Sequence, residues 1–169
     1  MLLAAIEALP PAVKCLLAGD GPQVEELRAW MSRPGLSGRV FYVGLLDRAR
    51  LWSFYKALDC QVLPSLTRSR WKEQFGGVLA EGMAMGLPLI GSDSGSIPEV
   101  IGPAGIAVAE ADAGALASAI RRVAESPELR QRFSEAGKRR FREEFDIPAY
   151  GRKIARALGL VEREAHERE

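Results

Sequence analysis

Long apolar runs are missing from this sequence, and their absence excludes a helix that crosses a bilayer. Such a helix needs roughly 20 consecutive apolar residues, and no run here approaches that length although apolar residues make up 47% of the 169 residues. The first ten residues, MLLAAIEALP, contain Glu7 and no basic leader, so they do not read as a secretory signal. We therefore expect a soluble, cytoplasmic domain with a sizeable core.

An excess of charge of one sign is missing too. The chain has 23 basic and 22 acidic residues, which gives a formal net charge of +1. Bulk attraction to a nucleic-acid backbone or to anionic lipid requires a strongly basic surface. We therefore expect no nucleic-acid partner and no transmembrane segment.

Cysteine and histidine are scarce. The two cysteines, Cys15 and Cys60, each lie in an apolar run, so we expect buried, reduced thiols rather than a disulfide. The one histidine, His166, lies in the charged tail VEREAHERE, where a solvated side chain is expected rather than a catalyst.

What the sequence does contain is a regular alternation of short apolar runs and amphipathic segments. Strands of continuous apolarity that alternate with helices indicate an α/β fold, a Rossmann-like parallel sheet flanked by helices on both faces. The predicted strands cover residues 13–18, 39–44, 60–64, 87–92 and 105–108. The predicted helices cover residues 2–8, 22–32, 47–57, 76–86, 96–101, 112–125, 127–144 and 147–159.

Four loops rich in Gly, Ser and Asp follow four of the predicted strands. They cover residues 19–21, 43–45, 65–77 and 92–98. In open parallel sheets, ligands bind beyond the carboxyl ends of the strands. Glycine is common in such turns for purely structural reasons, but all four loops together indicate a binding site.

The stretch KEQFGGVLAEGMAMGLP, residues 72–88, carries the chemistry that this site needs. Gly76 and Gly77 stand at the start of a predicted helix, where unpaired amides and the positive end of the helix dipole suit a phosphate or diphosphate. The carboxylate of Glu81, one turn further on, can accept hydrogen bonds from two vicinal ribose hydroxyls. Glu73 precedes the helix and can accept bonds from sugar hydroxyls. Each acid alone could equally be a solvated residue or a favourable charge at a helix start.

Together, these stretches resemble the nucleotide-sugar-binding, C-terminal half of GT-B glycosyltransferases, in particular retaining glycosyltransferase family 4 (group 1). The resemblance covers nearly the whole chain. It is carried by AGDGP, FYVG, YKALDCQVLPS, E-Q-F-G, AEGMAMGLPLIGSDSGSIPEVIG and a helix near 147–160. The most specific element is the eight-residue interval from Glu73 to Glu81, with F-G after the first acid and M-A-x-G-x-P after the second.

The resemblance implies a role for each matched residue. Glu73 is implied as the catalytic-site glutamate that holds hydroxyls of the transferred sugar, and Glu81 as the ribose-binding glutamate. The remaining implied contacts with the donor sugar and diphosphate are made by Gln74, Phe75, Gly76 and Gly77. The implied base and nucleotide pocket is lined by Gly19, Gly21, Val43, Gly44 and Leu45. The donor substrate is a nucleoside-diphosphate sugar, and neither a metal nor a cofactor is implied.

Three features depart from the family pattern. Gly82 stands where an alanine usually follows the second glutamate, which costs about 1 kcal/mol of helix propensity. The usual glycine pair before I-P-E appears as Gly95-Ser96. The loop of residues 64–73 is unusually long and basic, and it is expected to be solvated or to contact phosphates or an acceptor.

The largest departure is at the amino-terminal side, where the family domain opens with a strand and a basic pair that neutralises the diphosphate. Residues 1–160 are therefore expected to be a donor-binding domain that lacks its first strand, and residues 161–169 a charged tail. The missing N-terminal acceptor domain, with its catalytic histidine, is an implied partner that could place the enzyme at a membrane surface. A gap in the sheet would expose an apolar seam and favour self-association.

Two rival functions stay open at this point. A sugar-nucleotide 2-epimerase-like GT-B isomerase shares the fold and the donor, and a truncated, non-catalytic binding module shares the sequence features without the reaction. The fragment alone is expected to lack transferase activity. The base, the sugar and the acceptor depend on side chains that no motif fixes.

Overall fold

The structure, a computed structural model that describes residues 1–158, alternates short strands with helices as the apolar pattern predicts. The strands are β1 (Cys15–Leu17), β2 (Val40–Tyr42), β3 (Gln61–Leu63), β4 (Leu89–Ser92) and β5 (Gly105–Val108). The helices are α1 (Leu2–Glu7), α2 (Val24–Met31), α3 (Arg48–Lys56), α4 (Gly77–Met85), α5 (Ile97–Ile101), α6 (Ala113–Glu125), α7 (Pro127–Arg140) and α8 (Ile147–Ala157). Among these residues, no helix is both long and apolar enough to cross a bilayer. His166 and the predicted tail of residues 161–169 lie outside the described part, as do the last residues of the predicted domain.

Most helix ends lie within one or two residues of their predicted positions, and the largest difference is at the end of α7. The segment predicted as a helix over 127–144 ends at Arg140 and continues as a wider π-helical turn, Phe141–Phe145. This turn packs Phe141 and Phe145 against the core beneath α4 and α5. The extra width is closed by a hydrogen bond from the Asp146 amide to the Phe141 carbonyl, 2.8 Å long. Apolar periodicity alone does not distinguish this turn from a continuing α-helix.

The strands form two parallel sheets rather than one. β1 pairs with β2, and β4 pairs with both β3 and β5, so the order is β2-β1 and β3-β4-β5. In one common doubly wound sheet the order is 3-2-1-4-5-6, and the observed order is that arrangement with its central strand left out. The break therefore lies where the sequence predicts a missing first strand. Side chains from both sheets nevertheless share one apolar core.

The sheet β3-β4-β5 is covered on both faces, which confirms the predicted architecture. Successive side chains of a strand point to opposite faces, and neighbouring residues of β4 do so here. Ile90 packs in the cluster under α1 and α6, whereas Leu89 packs in the cluster under α4 and α5. Both side chains are fully buried. The sheet therefore holds the start of α4 at a fixed place relative to the strand ends.

The two thiols agree with their prediction in being free of disulfides. Cys15 is buried and Cys60 is half-buried. Burial raises the pKa of each thiol to about 11. Both groups are therefore neutral and unreactive at physiological pH.

A buried arginine ties α1 to the start of β2, and nothing in the sequence pattern pointed to it. Arg39 is 7% exposed, and its guanidinium donates hydrogen bonds of 2.8–3.3 Å to five backbone carbonyls. The accepting carbonyls belong to Ile6, Leu9, Pro10, Val13 and Gly35. Three of these carbonyls, those of Ile6, Leu9 and Pro10, lie at or just after the end of α1, where the helix dipole favours a cation. Within the described residues no carboxylate pairs with Arg39, so the carbonyls alone offset the desolvation of its charge.

Replacing this guanidinium is expected to weaken the fold strongly. Arg39→Met keeps the bulk but leaves buried carbonyls without a donor, so we expect a loss of about 2–4 kcal/mol in the free energy of unfolding. Arg39→Lys keeps the charge but not the five-donor fork, so its stability should lie between those of the original chain and Arg39→Met. Urea denaturation measures the change. Arg122→Met on the exposed face of α6 is the control, with an expected change within about 0.5 kcal/mol; an equal effect of the two methionine substitutions would contradict this role.

Candidate functional site

The loops after β1 and β2 lie against each other, as the prediction of a shared pocket requires. The Gly19 amide donates to the Gly44 carbonyl at 2.9 Å, and the Tyr42 hydroxyl donates to the Gly19 carbonyl at 2.8 Å. Gly44 has φ of +72°, a conformation that favours glycine. Val43 and Leu45 flank it with 43% and 78% of their surfaces exposed. The predicted base-contacting segment is thus an exposed apolar ridge beside the Gly19 turn.

A groove of about 570 Å³ runs along the same turn. Gly19 and Gly21 line it, together with Asp20, whose carboxylate accepts the Gly21 amide at 2.8 Å. Its lining also includes apolar side chains from residues 1–4 and Trp30 of α2. The groove therefore combines apolar side chains with a loop of glycine backbone, a combination suited to a heterocyclic base.

Glu73 lies at the amino-terminal end of α4. Its carboxylate accepts the amide of Gly76 at 2.9 Å through Oε1, and the Ser65 hydroxyl donates to Oε2 at 3.4 Å. Gly76 is the residue that precedes the helix and has a left-handed φ of +69°. Glu73 therefore occupies the place where an anion is favoured by the helix dipole. The Gly76 amide, predicted as a donor to the ligand, is engaged by Glu73 in this structure.

The loop after β4 fixes the backbone of Glu73 and Gln74. The Ser96 amide donates to the Glu73 carbonyl at 3.2 Å, and the Ser96 hydroxyl donates to the Gln74 carbonyl at 2.6 Å. Gly95 has φ of +56°, and a Cβ there would stand 1.8 Å from the Glu73 carbonyl oxygen. The Gly95-Ser96 departure thus has a physical role, because the serine hydroxyl makes a bond that a second glycine could not make.

The long basic loop is anchored at its base and closed at its tip. The amide and the hydroxyl of Thr67 both donate to the Glu110 carboxylate at 2.5 Å, and the Thr67 hydroxyl lies 3.0 Å from that of Ser94. At the tip, Arg68 and Trp71 exchange backbone hydrogen bonds of 2.7 and 3.1 Å. These bonds order the loop as a hairpin, which carries exposed cations directly before Glu73 in the sequence. The exposed cations of this loop are Arg68, Arg70 and Lys72.

Glu81 is exposed on the second turn of α4, yet one of its oxygens has a buried partner. The hydroxyl of Tyr55, in the last turns of α3, donates to Glu81 Oε2 at 2.5 Å. Only 4% of the surface of Tyr55 is exposed. Burial, followed by the hydrogen bond to Glu81, raises the pKa of Tyr55 far above its ordinary value, so the hydroxyl remains a donor at neutral pH.

Gly82, the departure next to Glu81, is explained by Gln61 of β3. A Cβ at position 82 would stand 1.8 Å from Gln61 Oε1. Gln61 is 8% exposed; its amide nitrogen donates to the Val78 carbonyl at 2.9 Å, while its buried Oε1 has no partner. The glycine therefore makes room for a polar side chain beneath the helix that carries Glu81.

The structure brings the predicted residues together in two groups. Glu73 joins Gly76 and the loop after β4, and Gly19 joins Gly44. Helix α3, which directly follows residues 43–46, links the second group to Glu81 through Tyr55. Within residues 1–158 no hydrogen bond joins Glu73 directly to the loops after β1 and β2, and no group of three or more His, Cys, Asp or Glu could hold a metal ion.

Sequence reasoning missed four supporting residues. The sequence patterns predict no role in the site for Tyr55, Ser94, Ser96 or Glu110. Their partners lie 22 to 43 positions away in the chain. A local pattern carries no signal for such contacts.

A substitution cycle tests the Gln61–Gly82 pair. Gly82→Ala alone should destabilise the chain by about 1–3 kcal/mol, because overpacking outweighs the gain of about 1 kcal/mol in helix propensity. Gln61→Val removes the obstructing amide, so the double variant should be at least as stable as the original chain. Urea denaturation of the four proteins measures the coupling. Strictly additive effects would show that the two positions do not share this space.

The Thr67–Glu110 contact has an expected pH dependence. The hydrogen bonds from Thr67 lower the pKa of the Glu110 carboxyl below its ordinary 4.5. The anchor is therefore fully present above that value and is lost as pH falls through the lowered pKa. The protection of the Thr67 amide against hydrogen exchange, corrected for the intrinsic rate, should fall in that range.

Glu110→Gln should remove most of that protection at neutral pH, since a neutral amide accepts more weakly than a carboxylate. Glu125→Gln, on the exposed face of α6, is the matched control. Protection of Thr67 that is unchanged in Glu110→Gln would mean that the hairpin is held by other contacts.

The comparisons with known proteins identify a family and a fold. The family model described as "Glycosyl transferases group 1" matches residues 1–140. Glycogen synthase of Mycobacterium tuberculosis is 33% identical over 154 residues, which cover 84% of this chain and 35% of that protein. The chain thus spans about a third of the length of this relative.

Solved structures give the same result. The chain is similar to the Anabaena HepE protein in complex with UDP, with a TM-score of 0.82 and 26% identity over 95% of this chain and 44% of that one. Sucrose-phosphate synthase from Thermosynechococcus elongatus gives a TM-score of 0.78 and 29% identity, covering 94% of this chain and 41% of that one. In both cases the similarity covers less than half of the larger protein.

Proposed function

Because the chain belongs to the glycosyl transferases group 1 family, we propose that it is the donor-binding half of a retaining hexosyltransferase. In this proposal the chain binds a nucleoside-diphosphate sugar, and the complete enzyme transfers the sugar to a hydroxyl acceptor. Neighbouring structures support the choice of donor, since the HepE protein was solved with UDP and with UDP-glucose. Transfer needs an acceptor domain outside this chain, so the chain alone binds without turning over.

The observation that carries the proposal is the arrangement around the start of α4. Gly77, the exposed first residue of α4, brings backbone to the surface, and Glu73 and Glu81 lie before and after it on the loop and the helix. The amide of the buried Gly76 is bonded to Glu73. A helix of nine residues supplies a full positive dipole end at this point. Diphosphate, sugar hydroxyls and ribose hydroxyls are the groups that such a set of donors and acceptors binds.

The proposed chemistry follows from where charge develops. As the bond between the sugar and the diphosphate breaks, negative charge grows on the leaving phosphate. In this proposal, the exposed backbone at Gly77 and the positive end of the α4 dipole stabilise that charge with little reorganisation. Glu73 would hold hydroxyls of the transferred sugar and so fix the reacting carbon above the diphosphate.

The ordered hairpin offers cations close to the same place. Arg68, Arg70 and Lys72 are exposed within five residues of each other, directly before Glu73. They could screen the diphosphate or contact an anionic acceptor.

Nucleotide titration tests the binding half of the proposal. We expect the 169-residue chain to bind one of UDP, ADP and GDP in calorimetric titrations. Glu81→Gln should weaken that binding about tenfold or more, because a charge-assisted hydrogen bond to ribose contributes roughly 1.5–3 kcal/mol.

Glu125→Gln is the matched control and should bind as the original chain does. Incubation of the chain with the corresponding nucleotide sugar and a panel of sugar acceptors should give no transfer product, and none of the 2-epimer. A folded chain that binds none of the three nucleotides would refute the proposed pocket, and an epimer product would favour the isomerase.

A further inference from the structure

The hydrogen bond between Tyr55 and Glu81 joins a buried donor to an exposed acceptor. Tyr55 is 4% exposed, whereas Glu81 lies on the open face of α4. A long exposed glutamate ordinarily samples many rotamers, and ordering it when a ligand binds lowers the affinity. The bond of 2.5 Å to an immobile hydroxyl removes much of that freedom before any ligand arrives.

Tyr55 itself is held in place from several sides. It lies near the end of α3, whose first turn is capped by Asp47, the acceptor of the Arg50 amide at 2.9 Å. Its ring meets that of Phe54 edge-on, with the centroids 5.8 Å apart. Helix α3 packs against α4 and begins just after the exposed ridge of residues 43–45. The hydroxyl is therefore a fixed point between the ridge and Glu81.

The bond also assigns different tasks to the two oxygens of the carboxylate. Oε2 accepts from Tyr55, which leaves Oε1 and one lone pair of Oε2 to accept from a ligand. Because burial keeps the phenol protonated at neutral pH, this assignment does not change with pH in the physiological range.

We propose that Tyr55 is a positioning residue, whose hydroxyl orients the Glu81 carboxylate for the ribose hydroxyls and so sets the preference for ribonucleotides over 2′-deoxyribonucleotides. The inference rests on the proposed function, because it takes Glu81 as the ribose acceptor. It adds a residue that never touches the ligand but determines which of two nearly identical ligands is bound better.

A merely structural role makes a different prediction. If the Tyr55 hydroxyl only fills its site, its removal lowers stability and affects all nucleotides alike. If it orients Glu81, its removal weakens ribonucleotides and spares their 2′-deoxy analogues. The ratio of the two affinities therefore separates the roles, whatever happens to stability.

The test uses the full chain with UDP, ADP and GDP, each beside its 2′-deoxy analogue, in calorimetric titrations. The original chain should prefer the ribonucleotide by about tenfold, the worth of one charge-assisted hydrogen bond. In Tyr55→Phe the preference should fall at least threefold, with little change for the 2′-deoxy form. Tyr150→Phe is the matched control, because Tyr150 is an exposed tyrosine of α8, and it should keep the full preference.

The combined variant Tyr55→Phe/Glu81→Gln closes a cycle. Since Tyr55 is proposed to act only through Glu81, the tyrosine substitution should have no further effect on the preference once Glu81→Gln is present. Tyr55→Phe removes one oxygen and leaves the exposed Glu81 free to bond water, so the variant is expected to fold. A thermal melting curve checks that this variant folds. As a second measurement, the NMR chemical shift of the Glu81 carboxyl carbon is followed in the original chain during titration with the nucleotide that binds.

The failures are distinguishable. An unchanged preference in Tyr55→Phe, or a Glu81 carboxyl shift that does not respond to the bound ribonucleotide, overturns the role of Tyr55. The first result leaves the proposed donor site standing, provided that the ribonucleotide still binds. A folded original chain that binds none of the nucleotides overturns both.

Discussion

The positive end of α4 is the constraint around which the rest of this structure is arranged. The Glu73 carboxylate already accepts the Gly76 amide at this end, and several elements fix the helix start in place. Gly76 supplies the left-handed turn, the loop after β4 holds the backbone of Glu73, and the two-sided core under β4 fixes the helix against the sheet. Remove any of these, and the amides and the two acids no longer share one geometry.

The fold could be predicted from the sequence almost completely, and the reason is local. Short apolar strands flanked by proline and glycine, such as β4 between Pro88 and Gly95, can be recognised from the local sequence to within about two residues. The π-helical turn at Phe141–Phe145 could not be predicted, because its two phenylalanines keep the spacing of an ordinary helix. The buried Arg39 could not be predicted either, since a lone arginine beside a strand reads as a surface residue.

The site was predictable only as far as motifs reach. The interval from Glu73 to Glu81 identified the acids, but not what holds them. Tyr55, Ser96 and Glu110 act across 22 to 43 residues of sequence, so their roles are fixed by the way the strands bring the loops together. Gly82 is a second example of a residue whose role depends on a distant partner. In the sequence it only weakens a helix, but in the structure Gln61 of β3 occupies the space that a Cβ at position 82 would need.

Arg39 has a consequence for how the amino-terminal part of the molecule opens. Its guanidinium bonds carbonyls from the end of α1, from the lead into β1 and from the turn before β2, segments that span some thirty positions. If any one of these segments frays, the buried guanidinium loses some of its hydrogen bonds. The free-energy cost of leaving this cation partly unpaired then opposes the opening of each segment. These segments should therefore melt as one cooperative unit, a foldon centred on a single side chain, rather than peel away helix by helix.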